Sequence, residues 1–329
     1  MSRATSDGPA LAAWPEEPET PKGDGGRRGN GRRDGGTDRA RRPRRQRTTV
    51  NAAKPRFTWR EYAGYRELFV NLTLRELRSK YKRSFLGWAW SLVNPLANTL
   101  VYTVLFGVLF HAPVPNGGPS HLQVYALYLL CALLPWNFFQ AGVMGSVGSL
   151  VGNGNLIKKT YFPRELLPAS TIGAALVSHL IEMGLLLVVL LAFGDYWAIE
   201  WLPMTVVLIF IITIFGLGVG LFFSVLNVYF RDIEHFLGIF FLLWLYATPV
   251  VYPTNLVSQH HFPGTHINAL RILEINPMTE MASQFRATMF YGGAPDWKAV
   301  LYLAAWAFGA LAVGLRVFNR MEGRLAEEL

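Results

Sequence analysis

His179 and Glu182 are the residues of this chain best placed to hold a proton or a polar solute within an apolar stretch. They stand at i and i+3 in Ser178-His179-Leu180-Ile181-Glu182, inside a long run of Leu, Ile, Val and Ala, so a helix puts them on one face. A charge at such depth in a bilayer costs roughly 2.5–3.5 kcal/mol on insertion scales, so this face must meet protein or water. The pair is either a pathway or proton-relay site, or an interhelical hydrogen bond that fixes packing or a subunit interface. A proton-coupled carrier would carry more than one such site, which favours the packing role. Other chemistry is sparse. There is no G-x-x-x-x-G-K-[ST] phosphate loop and Gly-Lys does not occur, so the chain is expected to bind no ATP, to hold no cofactor and not to be an enzyme. It has no paired-carboxylate cluster, no Cys/His ligand set and no G-x-S-x-G elbow. His260, His261 and His266 lie close in sequence but lack an anchoring carboxylate, so they read as loop surface and no metal site is expected. Cys131 is the single cysteine, which excludes an intrachain disulfide, and its apolar surroundings make it a packing residue.

Aromatic residues gather in two segments. Tyr102, Phe106 and Phe110 follow i, i+4, i+8 and share one helix face; Phe236, Phe240, Phe241, Trp244 and Tyr246 crowd another stretch. Sugar rings stack on aromatic faces through their C–H surfaces, so such a stripe suits a glycan duct; it equally suits packing against lipid, and spacing does not separate the two. A third group occupies residues 155–166, where Lys158, Lys159, Tyr161, Phe162, Pro163, Arg164 and Glu165 combine an aromatic pair, both signs of charge and a helix-delimiting proline. A short amphipathic piece of this kind, carried on two apolar stretches, is a candidate docking element for a partner protein.

The elements that must position these residues are membrane helices. Of the 329 residues 51% are hydrophobic and 16% charged, against about a quarter charged in soluble domains, and mean hydropathy is +0.24. Residues 112–157 contain no Asp, Glu, Lys or Arg. About 20 apolar residues cross a bilayer, and the pattern predicts six spans near 88–110, 122–147, 167–193, 202–226, 236–252 and 299–318. Asn94-Pro95 falls in the second turn of the first and Pro135 near the middle of the second, both expected to kink their helices. Trp88, Trp136, Trp201 and Trp297 near span ends suit interfacial belts. Lys and Arg are absent from 111–121 and 194–201, whereas Lys158, Lys159, Arg164, Arg231, Arg320 and Arg324 lie in the other connections and the C-terminal tail. Both termini are therefore expected in the cytoplasm. Residues 253–298, with Arg271, Arg286 and Lys298, depart from that rule; pieces too short to span there are expected to dip into the outer leaflet as re-entrant helices.

Three regions follow. Residues 1–56 carry 14 Lys and Arg against 7 Asp and Glu and few aliphatics, and read as a disordered basic cytoplasmic tail near anionic lipid; a nucleic-acid partner is not expected. Residues 57–86 alternate Tyr62, Tyr65, Phe69 and Leu72 with six Lys and Arg between Arg66 and Arg83, as an amphipathic helix in the membrane interface does. Residues 87–329 form the six-helix transmembrane domain of an all-α integral membrane protein.

Four stretches resemble a known family, the membrane subunits of type-2 ABC exporters of O-antigens, teichoic acids and related glycans. They are Arg75-Glu76-Leu77-Arg78-Ser79-Lys80-Tyr81 with Leu86-Gly87-Trp88-Ala89-Trp90; the 156–168 segment; Leu226-Asn227-Val228 and Arg231-Asp232 running on to 246–253; and Asn276-Pro277-Met278. The tail 321–329 adds a weaker match, and together they span about residues 60–329. Tyr229-Phe230 where the family often has a basic residue, Gly323 where proline is common, and the long basic tail depart from the pattern. The resemblance implies a homodimer joined to two ATP-binding-cassette ATPase subunits, which hold ATP and Mg2+. It implies that the 155–166 loop is the coupling helix inserted into the ATPase, that aromatics line the duct, and that a polyprenyl-linked polysaccharide is exported across a bacterial cytoplasmic membrane. The competing readings are a polyprenyl-phosphate-dependent membrane glycosyltransferase, for which Asp232 and Glu234 are too few acidic residues, and a permease for a drug or small lipid.

Overall fold

The computed structural model describes residues 64–81, 87–109, 117–253, 273 and 275–329. The expectations for the 1–56 tail, Phe110 and the His260, His261 and His266 segment fall outside the described residues. The account below concerns the unit that begins at Ala53. Among the described residues every regular element is helical, and no strand occurs.

Helix α1 (Arg66–Tyr81) leads to α2 (Trp90–Tyr102), which continues as a wider π-helical stretch, Thr103–Leu109. Then come α3 (Tyr125–Gly152), the short α4 (Gly154–Lys159) and α5 (Leu166–Ala192). A single turn, α6 (Trp197–Glu200), precedes α7 (Leu202–Tyr229) and α8 (Ile233–Tyr246). The chain ends with α9 (Pro277–Met289), α10 (Trp297–Met321) and α11 (Leu325–Glu328). Among the described residues five stretches are long and apolar enough to cross a membrane: Leu92–Leu109, α3, α5, α7 and α10. The predicted fifth span is shorter than expected. α8 has 14 residues, about 21 Å, against a hydrocarbon core of about 30 Å. It stops at Tyr246 because Pro249 has no N–H to continue the helical ladder and disfavours helical backbone before it; Thr248 then hydrogen-bonds back to the Trp244 carbonyl at 2.8 Å. Pro95 and Pro135 lie inside α2 and α3 without dividing either helix.

α3 is the central post, with α2, α5, α7, α8 and α9 packed round it. Its Trp136, read from sequence as an interfacial residue, is fully buried and meets Phe241 and Trp244 edge-on. Helix contact uses small residues, as expected where apolar burial alone does not drive association. The closest approach is α7 on α10. A β-carbon on Gly314 would overlap the Gly218 carbonyl oxygen, and one on Gly218 would overlap the Leu311 nitrogen.

α9 is tied to the broken end of α8. Asn276 caps α9 by accepting from the Met278 N–H at 3.0 Å, accepts from Trp244 Nε1 at 3.0 Å, and donates to Thr248 at 2.8 Å. Arg286, counted above among the loop cations, is buried in α9. Its guanidinium donates to the carbonyls of Pro249 (2.7 Å), Val250 (2.5 Å) and Tyr128 (3.3 Å) and lies 3.9 Å over the Tyr128 ring. Beyond α5, Asp195 is buried, and its carboxylate accepts from the Trp197 N–H at 3.2 Å to start α6.

Candidate functional site

The two intramembrane polar residues open onto a cavity of about 530 Å³, within the usual range of about 300–1,000 Å³ for small-molecule pockets. Each wall carries a pair of polar residues at helical spacing among apolar ones. α5 supplies His179 and Glu182, α3 supplies Asn137 and Gln140, and α2 supplies Asn94 and Asn98. Lys80 from the end of α1 and Trp90 from the start of α2 flank it, and Lys80 is the opposite charge that acts on Glu182.

His179 is buried, with its ring stacked on Phe138 at 4.8 Å and 14°. Neither ring nitrogen has a hydrogen-bond partner within the chain. An unmade hydrogen bond of this kind costs about 1–3 kcal/mol unless something in the cavity supplies the partner. Sequence reading found this α5 face and missed the four carboxamide positions opposite. The signal existed: Asn94 with Asn98, and Asn137 with Gln140, are polar pairs at i, i+4 and i, i+3 inside apolar spans, as His179 and Glu182 are.

Below the polar cavity runs a narrow apolar cleft lined by Leu92 and Leu96 of α2, Leu130 and Leu134 of α3, and Leu185 and Val189 of α5. Pro95 and Glu182 line both spaces.

The aromatics divide differently from the sequence grouping. Tyr102 and Phe106 of the α2 stretch have ring centroids 6.5 Å apart, and the Tyr102 hydroxyl faces that of Tyr246 at the end of α8. Trp244 turns inward, into a box with Trp136, Phe139 and Phe241. It packs α8 against α3. The outward face of α8, including Phe236, Ile239, Leu243 and Tyr246, is exposed, as are Leu100, Val104 and Val108 on the α2 stretch.

The connection between α3 and α5 is anchored at several points. Arg75 of α1 donates to Asn153 at 2.6 Å, and Asn153 donates to the Ser149 carbonyl at 2.8 Å. Ile157 and Phe162 are buried in a cluster with Leu72, Leu150, Leu167 and Phe318. Pro163 is buried too, and Arg164 donates to the Glu322 carbonyl at 2.7 Å, while Glu165 begins α5. Lys158, Lys159 and Tyr161 are exposed, with Tyr161 at 65%. The docking element read from sequence thus separates into an exposed tip and residues that hold it. Among the described residues no three of His, Cys, Asp and Glu gather closely enough to hold a metal ion.

Comparison with known proteins bears on all of this. Residues 67–290 match the family described as ABC-2 type transporter. The chain is 29% identical over 263 residues to the O-antigen export system permease protein RfbA of Klebsiella pneumoniae, covering 80% of this chain and 95% of that protein. It is likewise 29% identical over 272 residues to RfbA of Myxococcus xanthus, covering 82% and 98%. The polysialic acid transport protein KpsM of Escherichia coli is 24% identical over 255 residues, covering 76% of this chain and 92% of that protein.

Proposed function

The chain belongs to the ABC-2 type transporter family, and from that premise we propose that it is the membrane-spanning subunit of an ATP-driven polysaccharide exporter. The observation that carries this reading is that export permeases for O-antigen and polysialic acid align along nearly their whole length with a chain of apolar helices. In finer terms, it is a multi-pass protein of a bacterial cytoplasmic membrane that moves a polyprenyl-linked polysaccharide outward.

ATP and Mg2+ belong to separate ATPase subunits, two per assembly, because this chain has no phosphate loop. The assembly contains a second copy of this chain. The exposed apolar faces of α8 and the α2 stretch suit that contact or the duct between two copies, and Tyr102, Phe106 and Tyr246 lie on them. α8 serves as a short fifth span, α1 as the interfacial helix and α9 as a re-entrant helix held by Arg286. Burial of Arg286 removes it from the set of free loop charges, which supports placing both termini in the cytoplasm. The tip formed by Lys158, Lys159 and Tyr161 then faces the ATPase.

The test is transport in vesicles that contain this chain and its ATPase partner. A lipid-linked polysaccharide should become accessible to an external glycosidase on addition of ATP, and the membrane chain alone should neither bind nor hydrolyse ATP. Turnover by the purified chain alone, or glycan movement without the ATPase, would remove the reading. Glycosyl transfer to a polyprenyl phosphate would support the enzyme alternative instead.

A further inference from the structure

Helix α10 does not release the chain at its end. Carbonyls at a helix C-terminus have no N–H partner within the helix, and here side chains of two other elements take them up. Tyr229, at the end of α7, donates its hydroxyl to the Met321 carbonyl at 3.1 Å, and Arg164 donates to the Glu322 carbonyl at 2.7 Å. A short turn, Glu322–Arg324, then leads into α11, which packs on α4 and α7. Leu325 is fully buried in the cluster that holds Ile157 and Phe162, and Leu329 packs against the same cluster. We propose that residues 322–329 are a brace for α4: they tie the ATPase-facing element to α10, so that a stroke on α4 moves the two as one body. This rests on the coupling role proposed above for residues 155–166.

α4 needs such support. It has six residues, and an isolated helix shorter than about 12–15 is marginal in water, so contacts must keep its shape. Arg75 grips Asn153 at its start. Gly154 and Ile157, three apart, share one face, while Asn155, Lys158 and Lys159 share another and stay exposed. The first face is the braced one. Ile157 enters the cluster beside Leu325, and a β-carbon on Gly154 would lie 3.7 Å from the Leu329 β-carbon, an ordinary contact distance. Residues 322–329 therefore support α4 from its buried side and leave the docking tip uncovered.

The test uses the full chain with its ATPase partner. Gly154→Cys and Leu329→Cys are combined with Cys131→Ala, which leaves no other cysteine in the chain. The 3.7 Å between the two β-carbons suits a disulfide. Oxidation with copper phenanthroline should link the two positions both without nucleotide and with ATP. The linked complex should export as much glycan per ATP hydrolysed as the reduced one. Leu325→Asn, checked for fold by elution volume and by co-purification with the ATPase, should still hydrolyse ATP yet export about tenfold less glycan per ATP. Leu325→Met should restore the ratio. Absence of the cross-link, its formation in only one nucleotide state, or an unchanged ratio in folded Leu325→Asn would overturn the brace. A cross-link in both states, in a complex that hydrolyses ATP but moves no polysaccharide, would uphold the brace while removing the export reading.

Discussion

Tyr161 and Phe162 are neighbours with opposite fates, and the sequence reading treated them alike. A Tyr-Phe pair next to lysines looks like one interface anchor. Only packing reveals that Phe162 is committed to its own chain, 4% exposed, while Tyr161 is 65% exposed. The two substitutions should therefore separate. Tyr161→Ala should leave insertion and thermal stability unchanged and reduce export at least tenfold, since interface aromatics are typically worth about 2 kcal/mol or more. Phe162→Ala should lower stability by about 3–5 kcal/mol, read as loss of folded protein on heating. Full export by Tyr161→Ala would show that the tip does no docking. Asp195 gives a pH prediction. Burial raises its carboxyl above the ordinary value, opposed in part by the Trp197 and Ala198 N–H groups. The folded chain thus holds this proton more tightly than the unfolded one, so its contribution to stability falls as pH rises from the ordinary carboxylate value through the raised one. Asp195→Asn, which keeps the oxygen that accepts from Trp197, should gain thermal midpoint over the parent chain at neutral pH, and this gain should vanish near pH 4. An equal gain at both pH values would contradict it.

Helices are where the sequence was most legible. The stretches predicted near 122–147, 167–193, 202–226 and 299–318 all appear, with their ends within five residues of the predicted ones, because long apolar runs leave few alternatives. The shortfall of α8 was less legible. Its apolar run continues through Val250 and Val251, but Pro249 and the Arg286 clamp on the Pro249 and Val250 carbonyls turn the chain there. That clamp joins residues 36 and 37 positions apart, which no local pattern records. The α7–α10 crossing was equally hidden, since glycines are common in membrane helices and their spacing does not name a partner. Gly314 is the sharpest test of it. Gly314→Leu would drive a side chain into the Gly218 carbonyl, so the folded chain should be lost from detergent extracts. Gly309→Ala, with open space at its β-carbon, should be neutral in the same measurement. Equal yields from the two would mean that α7 and α10 do not meet there.

At the scale of the whole molecule, the all-helical membrane class came from composition, whereas the cavity required the fold. Its walls come from residues about 80–98, 137–140 and 178–182, which only the bundle brings together. The basic tail is the opposite case, a region defined by composition alone. A chain beginning at Lys54 should insert and pair with its ATPase as the full chain does, checked by co-purification; failure to pair would assign the tail a structural duty. The anchoring of the α3–α5 connection has a mechanical consequence. Arg75 grips Asn153, Phe162 sits among side chains from α1, α3, α5 and α10, and Arg164 holds the Glu322 carbonyl. In the proposed coupling role, a push on Tyr161 would therefore meet no slack. Close-packed side chains deform little, so a stroke entering at the six residues of α4 would reach the ends of four helices together.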